Sequence, residues 1–189
     1  MIVIGIYAPG HQRRIAELVQ EIFHQSGKRT AVTDKSRGGA YLEYLSAAKL
    51  DAVILLLHPN ELPKAYFDVL IMELSHSVYL PELAKCLHRE TRLIYNEDAF
   101  FFPVVHPNAI SYGMRYDAAA TVSSIESAEE TTVAYCLQKP IRKLSGELAE
   151  EGELLIRRSV PMEKSLSDLL AAVTCGIVCG VIRTPTVKI

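Results

Sequence analysis

The stretch from Asp51 to His58 reads DAVILLLH, with six consecutive apolar residues between its charged and polar ends. A strand that alternates apolar and polar residues buries one face of a sheet, whereas a continuously apolar strand is covered on both faces, as in parallel sheets. The later stretch from Phe67 to Leu74, FDVLIMEL, has the same character. We therefore expect both to be strands of a parallel sheet, with Asp51 to His58 central.

The segments around these two strands repeat a strand and helix pattern. Short apolar runs bounded by Gly, Pro or polar residues predict strands, and apolar residues at helical spacing predict the helices between them. Further strands are predicted at Ile2 to Tyr7, about Arg29 to Thr33 and Thr91 to Asn96, and helices over Ile15 to Phe23, Tyr41 to Ala48 and Leu80 to Leu87. This alternation favours a doubly wound, mostly parallel α/β sheet.

From about residue 104 to residue 160 the pattern changes to short strands joined by polar turns, which predicts a small antiparallel β insertion. A helix should follow this insertion, because Leu166 to Ile177 carries an apolar stripe. Ser165, with Asp168 three residues later, resembles a capping box at its start. We expect this helix to pack back on the main sheet.

A chain of 189 residues has the size of one domain, so we take residues 1–189 as a single unit. Its formal charge of −2, with 22% charged residues, argues against a disordered acidic tail and against a nucleic-acid binder. The longest apolar run is far shorter than the ~20 residues of a membrane span. Met1 to Gly5 lacks the basic region of a signal peptide, so the sequence predicts a cytoplasmic location.

The loop after the first predicted strand has the glycine spacing of a phosphate-binding loop. Gly5 and Gly10 stand at the G-x-x-x-x-G positions, but His11 and Gln12 replace the Lys-Ser or Lys-Thr pair that contacts phosphate and magnesium. Arg13 in the following helical turn could supply charge from another direction. We therefore treat Gly5, Gly10, His11, Gln12 and Arg13 as candidates for a residual nucleotide site, in which ATP and Mg²⁺ would bind weakly.

Polar residues at the ends of two further strands form a second set of candidates. Glu73 and His76 follow a buried strand, where open α/β sheets bind ligands, so an acid/base role is weighed against a hydrogen-bonded turn. Asn96 and Asp98 follow the fifth strand, where they would either contact a nucleotide or close the turn through backbone hydrogen bonds. Two candidate ligands do not define a metal site, so no metal is assigned.

The order of these parts resembles the central, ATP-binding domain of the Mur ligases and of their folylpolyglutamate synthase relatives. This resemblance spans nearly the whole chain and implies a three-layer fold like that of the P-loop NTPases. Its landmarks are the Gly5-Ile6 start, the strand Phe67 to Leu74, the segment Leu93 to Asp98, Ile110 to Gly113 with Asp117-Ala118, and Leu169 to Val173.

The departures from the family pattern fall at positions that the resemblance implies are catalytic. The phosphate-loop lysine is missing, and the third strand ends at Leu57 with no acid, the nearest being Glu61. Ser75 to Ser77 retains a histidine without the preceding aspartate. The resemblance therefore implies a degenerate, free-standing pseudoenzyme, because phosphoryl transfer depends on charge neutralisation and positioning.

Three hypotheses follow from the sequence. The first is a non-catalytic Mur-ligase-like module that binds a ligand, a protein partner or a second copy of itself, and is connected with peptidoglycan precursor metabolism. The second is a divergent ATP-dependent ligase or nucleotide-binding enzyme completed by a partner chain, with His11, Arg13 and Glu73 in place of the usual groups. The third is a structural subunit of an oligomer.

Overall fold

A computed structural model of the chain describes residues 1–34, 47–58, 66–73, 84–99, 104–127, 131–158, 166–182 and 185–189. Most of the two predicted helices from Tyr41 to Ala48 and from Leu80 to Leu87 lies outside these ranges. The candidate residue His76 also lies outside them.

Ten strands of the described part form one sheet, and two shorter strands pair separately. In chain order the strands are β1 (Ile2–Tyr7), β2 (Thr30–Thr33), β3 (Ala52–Leu56), β4 (Val69–Met72), β5 (Arg92–Asn96), β6 (Ala109–Tyr112), β7 (Ala120–Ser127), β8 (Thr131–Leu137), β9 (Ile141–Arg142), β10 (Leu148–Ala149), β11 (Gly152–Arg158) and β12 (Thr186–Lys188).

The parallel half of the sheet has the order β2-β3-β1-β4-β5-β6, with every neighbouring pair parallel. All residues of β3 and β4 are buried, as their continuous apolar sequences predict. Strand β3 lies between β1 and β2, so it is an inner strand. The predicted α/β class with a mostly parallel sheet is confirmed.

The antiparallel strands predicted after residue 104 extend this same sheet. Strand β7 joins it in parallel through the pairing of Tyr112 with Ala120, β8 runs antiparallel to both β7 and β11, and β12 is parallel to β11. Strands β9 and β10 form the separate two-stranded sheet. The insertion is therefore a continuation of the main sheet with one small hairpin beside it.

Two helices of the described part cover one face of the sheet: α1 (Gln12–Gln25) and α2 (Leu166–Val178). Helix α1 buries the apolar stripe predicted between Ile15 and Phe23, whereas every residue of α2 from Asp168 to Val178 is buried. Helix α2 packs against α1 and lies across β4, β5, β6 and β7. Among the described residues, no helix is long and apolar enough to cross a membrane.

The other face of the sheet carries a second apolar cluster, because successive residues of each strand point to opposite sides. In β1, Ile4 and Ile6 belong to the cluster under the helices, and Tyr7 belongs to the second cluster together with Phe67 and Leu70. Gly5 faces the same side as Tyr7. A Cβ atom at Gly5 would lie 2.9 Å from the Phe67 ring and 3.0 Å from a methyl group of Leu70.

This contact predicts that Gly5→Ala destabilises the protein, because the buried Phe67 ring has to move to admit a methyl group. Overpacking of this kind costs about 1–3 kcal/mol. Gly152→Ala is the matched control, since Gly152 lies in β11 with nothing within 4 Å of an added Cβ. Chemical denaturation of both variants measures the difference, and equal stabilities would contradict the packing role of Gly5.

The hydrogen bonds of Asp51, which lies between β2 and β3, predict how the stability of the protein changes on acidification. Its carboxylate accepts hydrogen bonds from the Arg29 amide at 2.9 Å and from Lys28 Nζ at 3.1 Å. These bonds, the amide first, hold the pKa of Asp51 below its ordinary value. A lowered pKa in the folded state stabilises the fold above about pH 4, and this contribution is lost as the pH falls through the folded pKa. Asp51→Asn should therefore weaken the loss of stability on acidification, measured by urea unfolding between pH 3 and pH 7.

Candidate functional site

A group of polar side chains collects where strands β1, β4, β5 and β6 end. The carboxyl ends of parallel strands share one edge of the sheet, which is the usual ligand position in open α/β folds. Helices α1 and α2 both begin at this edge. We name as the polar cluster the residues His11, Arg14, Glu73, Asn96, Tyr112, Ser167 and Asp168.

Glu73 is the centre of a hydrogen-bonded triangle. Its Oε1 accepts a bond from Asn96 Nδ2 at 2.9 Å and one from Ser167 Oγ at 2.6 Å. The second Asn96 N–H donates to Ser167 Oγ at 3.0 Å. The other oxygen, Oε2, is buried without a hydrogen-bond partner among the described residues. One side of the carboxylate is thus held by the fold, and the other remains available.

Tyr112 places a neutral phenol beside this triangle. Burial raises its pKa well above the ordinary value, the nearby Glu73 carboxylate raises it further, and the nearby Ser167 hydroxyl acts in the opposite direction. A phenol with a raised pKa stays protonated at neutral pH and acts as a hydrogen-bond donor. The cluster therefore contains a carboxylate surrounded by neutral donors.

A second, charged part of the cluster joins the two helices. Asp168 is 2% exposed, and its Oδ2 lies 2.9 Å from Arg14 Nε. His11 Nδ1 lies 3.5 Å from Asp168 Oδ1 and 2.5 Å from Arg14 Nη2. Because a guanidinium only donates, His11 Nδ1 accepts this bond, and the ring proton of a neutral His11 is then on Nε2. Arg14 therefore forms an ion pair with the buried Asp168 carboxylate and donates a hydrogen bond to the His11 imidazole.

The loop between β1 and α1 uses its amide groups internally. The His11 and Gln12 amides both donate to the Ala8 carbonyl at 2.8 Å. Pro9 has no amide hydrogen, and Gly10 takes a positive φ of 85° in the turn. A phosphate-binding loop needs several N–H groups that converge on the ligand. The residues present do not fit a magnesium-bound phosphate in this arrangement.

One possible metal-ligand atom from each of His11, Glu73 and Asp168 lies within 4.8 Å of the other two, a spacing that a cation could bridge. The guanidinium of Arg14 already places a positive charge beside these atoms, since it contacts His11 and Asp168. A divalent cation there would be repelled by the guanidinium. The side chain of Arg14 thus supplies the positive charge beside Asp168.

The structure brings some of the predicted residues together and separates others. His11, Glu73 and Asn96 lie in the polar cluster, and Gln12 begins α1 beside it. Arg13 is directed to solvent, where it pairs with Glu17 at 3.1 Å. Its position contributes nothing to the cluster.

Asp98 has a defined role in the turn after β6. Its carboxylate accepts hydrogen bonds from the amides of Met114 and Arg115 at 2.7 and 3.1 Å, and a Cβ at Gly113 would lie 2.7 Å from it. The Asp98 amide in turn donates to Asn96 Oδ1 at 3.0 Å. The bond to Asn96 lies in the turn after β5, where the sequence offers turn closure as one of two roles, whereas the Asp98 carboxylate bonds to the turn after β6.

The sequence does not predict Tyr112, Ser167 or Asp168 as site residues. It predicts a capping box for Asp168, whereas the ion pair of Asp168 with Arg14 joins distant parts of the chain. A charged residue inside an otherwise apolar helix was the available signal, because a buried carboxylate requires a charged or hydrogen-bonding partner.

No protein-family model matches this sequence, and no curated protein matches it. Solved structures are similar to the chain over nearly its whole length. Three of them are a UDP-N-acetylmuramoyl-L-alanyl-D-glutamate--2,6-diaminopimelate ligase (TM-score 0.73, 12% identity, 95% of this chain), the MurF ligase from Thermotoga maritima in complex with ADP (0.64, 11%, 95%), and a point mutant of L. casei FPGS (0.62, 8%, 97%).

These similarities establish the fold, which is the Mur-ligase-like α/β fold that the resemblance predicted. The chain spans 44%, 45% and 60% of the three proteins, so each of them contains substantial parts without a counterpart here.

The contact between Arg14 and Asp168 predicts a strong energetic coupling. Arg14→Met leaves the Asp168 carboxylate without its guanidinium and should cost about 2–3 kcal/mol, somewhat below a fully buried pair because Arg14 is half-exposed. Asp168→Asn removes the charge at nearly constant size. The double variant should therefore be more stable than the sum of the two single effects predicts, by about 1–2 kcal/mol in a denaturation cycle.

The control cycle uses Arg13 and Glu17, an exposed pair on the same helix. Exposed pairs couple by about 0.5 kcal/mol or less. If the two cycles gave the same coupling, the Arg14 pair would be an ordinary surface contact and not a buried link between the helices.

Proposed function

We propose that this chain is a non-catalytic Mur-ligase-like module, located in the cytoplasm, that binds a ligand or partner connected with peptidoglycan precursor metabolism. One observation carries the non-catalytic part of the proposal. Arg14 forms an ion pair with Asp168 and contacts His11 at the edge where a phosphate would have to bind. Two of the loop amides, those of His11 and Gln12, already donate to the Ala8 carbonyl.

The charge balance at this edge argues in the same direction. A phosphate and its magnesium would have to displace an ion pair whose carboxylate is almost fully buried. Breaking such a pair is costly, and the loop offers no lysine or hydroxyl in return. Tight nucleotide binding is therefore unfavourable here.

The connection with peptidoglycan rests on the fold and on the chemistry of two similar proteins. The first is a ligase named for UDP-N-acetylmuramoyl-L-alanyl-D-glutamate, and the second is MurF. The binding part of the proposal is tested with that UDP-linked dipeptide as a probe in a thermal-shift titration. A ligand at about 100 times its Kd stabilises the fold by roughly 2.7 kcal/mol, which gives a measurable rise in Tm.

The non-catalytic part predicts that the chain hydrolyses no ATP above background and shows no micromolar, magnesium-dependent ATP affinity in isothermal titration.

A variant in which residues 8–13 are replaced by a glycine-rich loop containing Lys-Thr should regain measurable ATP binding, because the strand and helix that orient the loop remain. The same loop with Lys→Ala is its control. Micromolar ATP binding by the unmodified chain would overturn this part.

The second candidate function is an ATP-dependent enzyme completed by a partner chain. Glu73 Oε2 favours it, because a buried carboxylate oxygen without a partner among the described residues could hold a reacting group or a cation. In that case, adding the partner should produce ATP turnover that Glu73→Gln abolishes. Asp98→Asn is a comparison variant outside the cluster and should retain the turnover.

A further inference from the structure

A cavity of about 330 Å³ lies at the other end of the strands from the polar cluster. It is bordered by the starts of β5 and β6 and by the segment that leads into the hairpin of β9 and β10. Its charged lining residues are Arg92, Lys139 and Arg142, and its apolar walls include Ile110, Ile141 and Leu148. We name it the basic cavity.

Arg92 is the buried member of the three charged lining residues. It is 7% exposed, and its guanidinium donates to the carbonyls of Arg142, Glu90 and Lys143 at 3.1, 3.0 and 3.4 Å. These three bonds fix the plane of the guanidinium and leave two of its five N–H donors. All three acceptors are neutral, so the positive charge of Arg92 is oriented without being neutralised.

The other two cations are held in the same manner. Lys139 donates to the Asp117 carbonyl, and Arg142 donates to the Gly146 carbonyl at 2.9 Å. Within the described ranges, none of the three forms an ion pair with a carboxylate. The neighbouring acids Asp117 and Glu147 are paired elsewhere, with Arg115 and Lys143.

We propose that the basic cavity is a binding site for a small anionic molecule that presents a phosphate or carboxylate group to Arg92, Lys139 and Arg142. A buried charge is costly unless an opposite charge compensates it. Guanidinium groups bind such oxyanions through paired N–H donors. The apolar walls accept the body of the molecule, as in most small-molecule sites. The net charge of the chain is −2, so this concentration of cations is local.

Arg92 also joins the hairpin to the sheet through the Arg142 and Lys143 carbonyls, and this structural role has to be separated from binding. Substitution of Arg92 would disturb both roles. Lys139 and Arg142 are exposed and contribute only a side-chain bond each to a loop carbonyl. The paired change Lys139→Gln and Arg142→Gln therefore removes two of the three cations while Arg92 remains.

The experiment is an NMR titration of the whole chain with inorganic phosphate and, in a separate arm, with succinate, both at constant ionic strength. We expect saturable amide shifts centred on residues 108–110 and 139–142. The arm with the tighter binding identifies phosphate or carboxylate as the preferred group. The paired glutamine variant should bind at least tenfold more weakly, and Lys139→Gln alone should lie between it and the unmodified chain.

The matched control is Arg157→Gln with Lys188→Gln, which makes the same change in net charge at paired positions of β11 and β12. This control should bind within twofold of the unmodified chain. The proposal is overturned if neither anion gives saturable shifts, if the shifts centre on the start of α1, or if both paired variants lose affinity equally. The proposed function is tested separately, by the UDP-linked dipeptide and ATP titrations, so its failure and the failure of this proposal are distinguishable.

Discussion

Helix α2 is buried on every side from Asp168 to Val178, and this burial is the constraint on which the other parts of this structure depend. A helix that is mostly apolar around its whole circumference has to be covered on all sides. Helix α1 covers one side of α2, and strands β4 to β7 cover another. At Gly176 a Cβ would lie 2.9 Å from side-chain atoms of Ile22 and Ile182, so only glycine permits this approach without a shift. Burial of α2 thus depends both on the order of the strands and on the position of α1.

The position of α2 also determines the chemistry of the sheet edge. Its first turns bring Ser167 to Glu73 and Asp168 to Arg14. The segment that completes the apolar core therefore also supplies two of the seven residues of the polar cluster, Ser167 and Asp168. Forming the ion pair of Arg14 and Asp168 costs desolvation energy. In return, it holds the starts of α1 and α2 together at the same edge of the sheet. Core packing and the electrostatics of the candidate site are consequently properties of a single contact.

Most of the parallel half could be predicted from sequence because its signals are local. Strand β1 has the predicted bounds, Ile2 to Tyr7, since Ala8-Pro9-Gly10 ends it. Glu73 and Asn96 were expected at the ligand edge because parallel strands end together. Strands β9, β10 and β12 were not predicted, since two or three residues are too few to show a period. The ion pair of Asp168 and the carbonyl bonds in the basic cavity depend on distant segments, which no local pattern encodes.

The position of α2 after strands β1 to β6 in the chain has a consequence for synthesis on the ribosome. Strands β1 to β6 and helix α1 are translated first, and their apolar residues facing α2 have no cover until that helix emerges. At about 5–20 residues per second, the interval between β6 and α2 lasts several seconds. During this time the nascent chain exposes an apolar surface that chaperones recognise. The order in which the ribosome delivers these segments therefore delays completion of the core until α2 has been translated.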